Sequence, residues 1–339
     1  MKFLTTYCLC GFFLLLGCND TTQQQNNNTY TVPNGFPALP FPASNSYNDA
    51  KAELGRYLFY DKQLSIDYNI ACSNCHYQKF GFADTATVSI GVSQEIGTRN
   101  SPAIINTGWN GAWFWDGRAT TLEAQILGAM TSPREMYADT VVISQRLQKD
   151  TMYSRMFKSA FTSTTIPSTG LAVDAIATFC RTLISGNSRY DQYTNGDKSI
   201  LSAQELRGLQ LFNSERTQCS SCHSGFNFTD NQFHSLGLHT HYYDQGRYNV
   251  TGLDSDIGRF KTPTLRNIEL TAPYMNEGLF TTLEQVIEHY NSGGKVFRNK
   301  DSRIKPLNLT PQEKTDLIAF LKTLTDNSFI NNTKFYNPR

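Results

Sequence analysis

Cys72-Ser73-Asn74-Cys75-His76 and Cys219-Ser220-Ser221-Cys222-His223 are two copies of one five-residue pattern, CxxCH. This pattern is the attachment signature of c-type haem. Its two thiols bond to the haem vinyl groups, and the next residue, His76 or His223, supplies a nitrogen to iron. A Cys/His zinc site is the competing reading. Each histidine, however, directly follows the second cysteine, which is not the ligand spacing of a zinc finger. Two copies therefore predict two covalent haem c groups and a fold wrapped around each.

The chain has 339 residues, enough for about two domains. With 39% hydrophobic and 12% aromatic residues it can fill two cores. A net charge of +1 gives no electrostatic case for a nucleic-acid partner. The halves echo each other: Gly55-Arg56-Tyr57-Leu58-Phe59 precedes the first motif, and Gly208-Leu209-Gln210-Leu211-Phe212 precedes the second. Helix signals dominate. Ser202-Ala203-Gln204-Glu205 and Thr310-Pro311-Gln312-Glu313 read as capping boxes, the second with proline at the first helical position. Leu317, Ile318, Leu321 and Leu324 follow at helical spacing. A third helix starts at Thr281-Thr282-Leu283-Glu284 and ends at Gly293-Gly294. Long strand alternation is absent. These signals predict a mainly α fold of two cytochrome c-like domains with one covalent haem each. The stretches 162–170 and 187–199 read as loops, and the domain boundary falls in the latter, giving domains 46–190 and 191–339.

The N-terminus reads as an export signal over residues 1–17, with Lys2 as its charged end and Phe12 to Leu16 closing a short apolar run. That run is too short for a comfortable membrane span. Leu15-Leu16-Gly17-Cys18 resembles a bacterial lipoprotein cleavage box, which would make Cys18 the lipid-bearing anchor and the protein periplasm-facing. An ordinary signal peptide cut further on is the alternative. Residues 18–45 are expected as a flexible tether, because Asn19 to Thr31 is rich in Thr, Gln and Asn. Of eight cysteines, Cys8, Cys10 and Cys18 belong to this region and four to haem. Cys180, on the helical run Leu171, Ala175, Ile176, Phe179, Leu183, reads as a buried inert thiol.

A sixth protein ligand on haem iron favours electron transfer, whereas an open position permits peroxide chemistry. No histidine lies between His76 and His223, so the first domain has no second histidine for its own iron. Met130, Met136, Met152 and Met156 stay as candidates, and an open first haem is the expectation. Arg118 can pair with a haem propionate or, more plainly, with Asp116. Trp109, Trp113 and Trp115 fall in one window and suit either packing or electron relay. Leu283, Val286, Ile287 and Tyr290 share a helix face, so Tyr290 points inward while His289 lies off that face. His234, His239 and His241 suggest a metal cluster only by proximity, and none is expected.

From about Asn48 onward the chain resembles the bacterial di-haem cytochrome c peroxidases and their MauG-like relatives, which mature methylamine dehydrogenase. The resemblance rests on Arg99-Asn100-Ser101-Pro102, Phe114-Trp115-Asp116-Gly117-Arg118, Leu122-Glu123-Ala124-Gln125 and Phe260-Lys261-Thr262-Pro263-Thr264-Leu265-Arg266-Asn267, all in the family's order. It implies a peroxidatic haem in the N-terminal domain. Many of these peroxidases close that haem with a distal histidine sixteen residues after the proximal one, where this chain has Val92. The resemblance assigns peroxide handling to Gln125 and Glu135. Glu135 would shuttle a proton between the peroxide oxygens and Gln125 would orient them. A helix-surface glutamine and a turn-capping acid are the plainer alternatives. Trp115 matches the inter-haem tryptophan. Tyr290 matches the position of the second haem's distal ligand, which is Met in the peroxidases and Tyr in the MauG-like branch. A structural buried tyrosine is the alternative, and Met275 is a rival ligand off the family's position. A calcium ion between the domains is also implied, held by the Asn100 side chain and the Thr271 and Pro273 carbonyls.

The expected function is reduction of hydrogen peroxide to water with electrons from a small cytochrome or cupredoxin. Tyr290 and Val92 favour a MauG-like oxidase acting on a protein or organic substrate. A non-enzymatic di-haem electron carrier is the third possibility, and a homodimer is allowed.

Overall fold

The computed structural model describes Met1 and residues 30–339. The expected signal segment, the Cys18 anchor and the tether up to residue 29 lie outside the described residues. No helix among the described residues is long and apolar enough to cross a membrane.

The chain is mainly helical and forms two lobes. The first holds α1 (Asp49–Phe59), α2 (Leu122–Thr131), α3 (Thr140–Lys149), α4 (Thr151–Ala160) and α5 (Thr169–Arg181). The second holds α6 (Arg189–Thr194), α7 (Ala203–Phe212), α8 (Tyr248–Thr251), α9 (Leu283–Ser292) and α10 (Pro311–Lys322), and α11 (Asn327–Ile330) follows. The strands β1 (Phe233–His234) and β2 (Phe260–Lys261) pair antiparallel.

The weak sequence echo is a structural duplication. In the first lobe α1 crosses α5 at Gly55, where an added Cβ would lie 1.9 Å from the Ala175 carbonyl oxygen and 2.8 Å from Phe179 Cβ. In the second lobe α7 crosses α10 at Gly208, where the same atom would lie 1.9 Å from the Asp316 carbonyl oxygen and 2.8 Å from Phe320 Cβ. Only a residue without a Cβ lets the two backbones approach this closely. Phe59 and Phe212 follow these crossings by four residues, one helical turn, and each enters its lobe's core.

The three helix starts read from sequence are present. Ser202 and Thr310 accept from the Glu205 and Glu313 amides, and Thr282 accepts from Gln285. The stretch expected as a loop over 187–199 contains α6, because Ser188 and Asp191 form a capping box. Asp191 also pairs with the buried Arg266 at 2.9 Å, tying α6 to the second lobe.

Two expected boundaries differ in the structure. The end of the tether packs onto the body: the Phe36 ring lies 5.7 Å from Trp109 and 4.6 Å from Phe226, so residues 33–41 span both lobes. The C-terminal segment of the expected second domain returns to the first core. There Phe329 and Phe335, 5.5 Å apart, meet Phe82 and Phe179 at 5.8–6.5 Å between ring centres. Aromatic burial outweighs chain continuity at both ends.

Candidate active site: two CxxCH turns and the cavity between the lobes

Each CxxCH forms one turn of 3-10 helix, Cys72–Asn74 and Cys219–Ser221. The amides of His76 and His223 close that turn on the carbonyls of Cys72 and Cys219, at 3.1 and 2.9 Å. Both imidazoles are then held the same way. His76 Nδ1 donates to the Phe82 carbonyl at 2.8 Å, and His223 Nδ1 donates to the Phe228 carbonyl at 3.0 Å. Phe82 and Phe228 adopt left-handed conformations that turn the chain back over its histidine. Burial pushes both imidazoles below their ordinary pKa, favouring the neutral form. A neutral imidazole donating from Nδ1 presents a lone pair on Nε2, the atom that binds iron. Both sites therefore fit covalent haem in donor chemistry and ring orientation.

His76, Cys72 and Cys75 line a cavity walled by Phe59, Leu122, Ile126 and Ile176. It continues into a wider space that reaches Trp115 and the second lobe's Lys261, Pro263 and Thr264. Gln125 and Glu135 line both parts, so the structure brings them together with His76. Gln125 is placed by α2, whose N-cap Thr121 accepts from the Ala124 amide. Leu122, Ile126 and Met130 bury one face of that helix, and Gln125 stands at its edge. Glu135 sits in the turn after α2, its amide donating to the Ser132 carbonyl at 3.0 Å. Burial pushes its carboxyl up to about 7, against the smaller opposing influence of Arg118 and a hydrogen bond from Ser132. A carboxyl tuned to neutral pH suits proton transfer in both directions.

Val92, at the expected distal-histidine place, is buried and does not line the cavity. Met130 and Met136 do line it, whereas Met152 and Met156 do not and pack against the first core. Cys180 is buried and lines the cavity near Cys72, with burial pushing its thiol up.

The Trp115 indole donates to the Asn100 carbonyl at 2.8 Å, and its own carbonyl accepts from the Lys261 amide in β2 at 2.8 Å. Trp115 is thus stitched to both lobes. Trp113 donates to Thr107 at 3.0 Å, and Trp109 packs on Phe36. Arg118 lines the cavity, pairs with Asp116 at 3.0 Å and lies over the Phe114 ring. Arg99 bridges the lobes, pairing with Asp116 at 2.7 Å and Asp244 at 2.6 Å.

In the second lobe Tyr290 faces the haem motif. Burial, with the Cys219 and Cys222 thiols beside it, pushes its phenol well above its ordinary pKa. Met275 packs on the same core. His289 turns away and donates to the Leu236 carbonyl at 3.0 Å. The three later histidines do not cluster. His234 is clamped between Asp230 and Asp301, each at 2.9 Å, while His239 contacts Glu277. Cys222, Asp230 and His234 lie close enough to hold a metal ion, but haem attachment consumes Cys222.

Of the residues expected to hold calcium, Asn100 sits where the lobes touch. The Asn100 amide donates to the Asn276 carbonyl at 2.8 Å, and the Asn100 side-chain amide donates to the Ala86 carbonyl at 3.0 Å. Among the described residues the Thr271 and Pro273 carbonyls accept no hydrogen bond, so their oxygens fit a hard cation. Sequence reasoning missed the Asp84–Ser89–Ser101 chain on the cavity's rim, in which Ser89 lies 2.7 Å from Ser101. No local pattern marks it, because the three residues meet only when the 84–101 loop closes.

Two haem-binding turns in two duplicated helical lobes, with a carboxyl-lined cavity at one of them, define a di-haem c-type cytochrome enzyme. The family model for di-haem cytochrome c peroxidase matches residues 49–199, and that for cytochrome c matches residues 206–325. The chain is 35% identical over 288 residues to the methylamine utilization protein MauG of Methylorubrum extorquens, with 85% of this chain and 81% of that one covered. It is 36% identical over 293 residues to cytochrome c551 peroxidase of Nitrosomonas europaea, with 85% and 84% covered. A crystal structure of a MauG-like protein associated with microbial copper homeostasis superposes at TM-score 0.87, with 37% identity over 91% of this chain and 98% of that one. The di-haem peroxidase BthA of Burkholderia thailandensis shares the fold at TM-score 0.74 and 22% identity, with 84% and 88% covered. The chain belongs to the di-haem cytochrome c peroxidase and MauG-like family, and it is an oxidoreductase with two haem c groups.

Proposed function

We propose that this protein reduces hydrogen peroxide to water at the His76 site, with electrons from a small cytochrome or cupredoxin. The observation that carries this reading is Glu135: a carboxyl held near neutral pKa on the same cavity wall as His76. The haem supplies the iron that binds peroxide and passes on its oxidising equivalents. Glu135 takes the proton from one peroxide oxygen and returns it to the other, and Gln125 orients the pair. Peroxide gains two electrons and two protons and leaves as two waters. Trp115, bonded to both lobes, relays electrons from the His223 side. The test is steady-state peroxide turnover with a reduced small cytochrome or cupredoxin. Turnover without prior reduction of the enzyme supports the proposal, and none with any such donor overturns it.

A second reading is favoured by Tyr290 beside Cys219 and Cys222: a MauG-like oxidase acting on a protein or organic substrate. It predicts oxidation of such a substrate by peroxide with little cytochrome turnover. Under either reading the chain divides near residue 190. A calcium ion at Asn100, Thr271 and Pro273 pins the lobes, and Asn100→Ala lowers both calcium content and Tm. The N-terminal sequence supports a periplasm-facing protein anchored by lipid at Cys18, tested by the mass of the mature N-terminal peptide.

A further inference from the structure

The space between the lobes carries more positive than negative charge. Its lining carboxylates are Asp116 and Glu135, and its lining cations are Arg99, Arg118, Arg134 and Lys261. Arg99 and Arg118 are both engaged by Asp116. Arg134 lies at the exposed rim. Lys261 is different. It sits in β2, its amide bonded to the Trp115 carbonyl, and its ammonium has one acceptor, the Thr262 carbonyl at 3.1 Å. An ammonium carries three donors, so two remain for a partner in the cavity. No carboxylate among the described residues pairs with it. An interior cation persists where an anion or strong acceptor meets it.

We infer that the Lys261 ammonium is the counter-ion of a propionate carboxylate on the haem held by Cys72, Cys75 and His76, and that it raises that haem's reduction potential. The inference rests on haem attachment at that motif. A c-type haem brings two carboxylates into a site whose own acids are already engaged or tuned for proton transfer. A fixed positive charge favours the reduced iron, because the added electron is then less costly. Because Lys261 follows Phe260 on β2 and bonds to Trp115, the charge stands at the junction of the two lobes. It is a positioning residue: it touches no peroxide and acts through the haem.

Burial pushes the Lys261 ammonium down to about 8, with Asp230 the opposing charge. The groups facing this space are Asp230 from the second lobe, Arg99, Asp116 and Arg118 from the first, and Arg134 and Glu135 from the turn after α2. Of those that line the cavity, Glu135 is held near 7, one pH unit below Lys261.

The test is spectroelectrochemical titration of the intact di-haem protein across pH 6 to 10. In the wild type the first haem's potential should step down above about 8, because the pairing propionate raises the ammonium from the value that burial alone gives it. Lys261→Met should start low and lose the step. Lys261→Arg should stay high with no step above about 8, any fall through about 7 belonging to Glu135, and Glu135→Gln should keep the step above 8. A Lys261→Met curve that superimposes on wild type overturns the inference. The pyridine haemochrome spectrum counts haems in every variant. Two haems with an unchanged curve overturn the role of Lys261 alone, whereas one haem in the wild type overturns the attachment reading beneath it. If Lys261→Met does not fold, a step retained in Lys261→Arg overturns the inference equally.

Discussion

The backbone amide of Val92 donates to the carbonyl of Glu135 at 2.9 Å. This bond ties the loop after the first haem motif to the turn that carries Glu135, the carboxyl proposed for proton transfer. Where many relatives are expected to place a haem-closing histidine, this chain uses the position to hold Glu135 in place. Gly91 completes the joint, since a Cβ there would lie 2.2 Å from the Arg134 carbonyl oxygen and 2.7 Å from that of Glu135.

Gly91→Ala should therefore displace the Arg134–Glu135 backbone without touching either haem motif. A shift approaching an ångström in a catalytic group costs on the order of a hundredfold in rate. Peroxide turnover should fall by roughly ten- to a hundredfold, with haem content unchanged. Turnover equal to wild type would show that this joint does not position Glu135.

In the proposed role, Glu135 gives peroxide turnover its pH dependence. Its carboxyl is held near 7 and is deprotonated above that. The carboxylate is the form that accepts the first peroxide proton, so kcat/KM should rise with pH through about 7. Glu135→Gln should flatten this rise and lower turnover by roughly a hundredfold to ten-thousandfold. Stopped-flow mixing with peroxide at pH 5 to 9 measures both effects.

The family resemblance places Tyr290 at the position of the second haem's distal ligand. Tyr290→Phe keeps the packing and removes the oxygen donor, so that haem should turn from low spin to high spin. Tyr290→Met should stay low spin and raise the potential, because a thioether favours the reduced iron more than a phenolate does. A Tyr290→Phe spectrum identical to wild type would point to Met275 or no protein ligand.

The duplicated helix crossings give a stability prediction. On an isolated helix, Gly→Ala stabilises by about 1 kcal/mol. At Gly208 the new Cβ would meet the Asp316 carbonyl, and overpacking of this kind costs about 1–3 kcal/mol or more. Gly208→Ala should therefore lower the Tm of the haem-loaded protein, and Gly55→Ala should do the same through Ala175. A raised Tm in either would mean the crossing is looser than the structure has it.

Much of this architecture is legible in the sequence because its signals are local. CxxCH, the Ser202 and Thr310 capping boxes and the repeated Gly-x-x-x-Phe are complete within five residues. Gln125 and Glu135 are legible only through the family resemblance, since a helix-edge glutamine and an acid after a proline are chemically ordinary. Other features are invisible because they form between distant segments. Phe329 and Phe335 return to the first core, and Phe36 spans both lobes, yet nothing near them in the chain marks a partner. The left-handed turns at Phe82 and Phe228 are equally hidden, because bulky residues adopt that conformation only when packing compels it. Lys261 is legible as part of a family motif, but an ammonium that lines the cavity with no carboxylate paired to it is a property of the fold.

Peroxide chemistry at the His76 site requires an iron open to peroxide with Glu135 on the same cavity wall. The most direct test is the EPR spectrum of the as-isolated ferric protein, recorded before and after adding peroxide. The account predicts a high-spin axial signal beside a low-spin one, both altered by peroxide without prior reduction. Two low-spin signals indifferent to peroxide would contradict it, leaving an electron carrier or a peroxidase that must first be reduced.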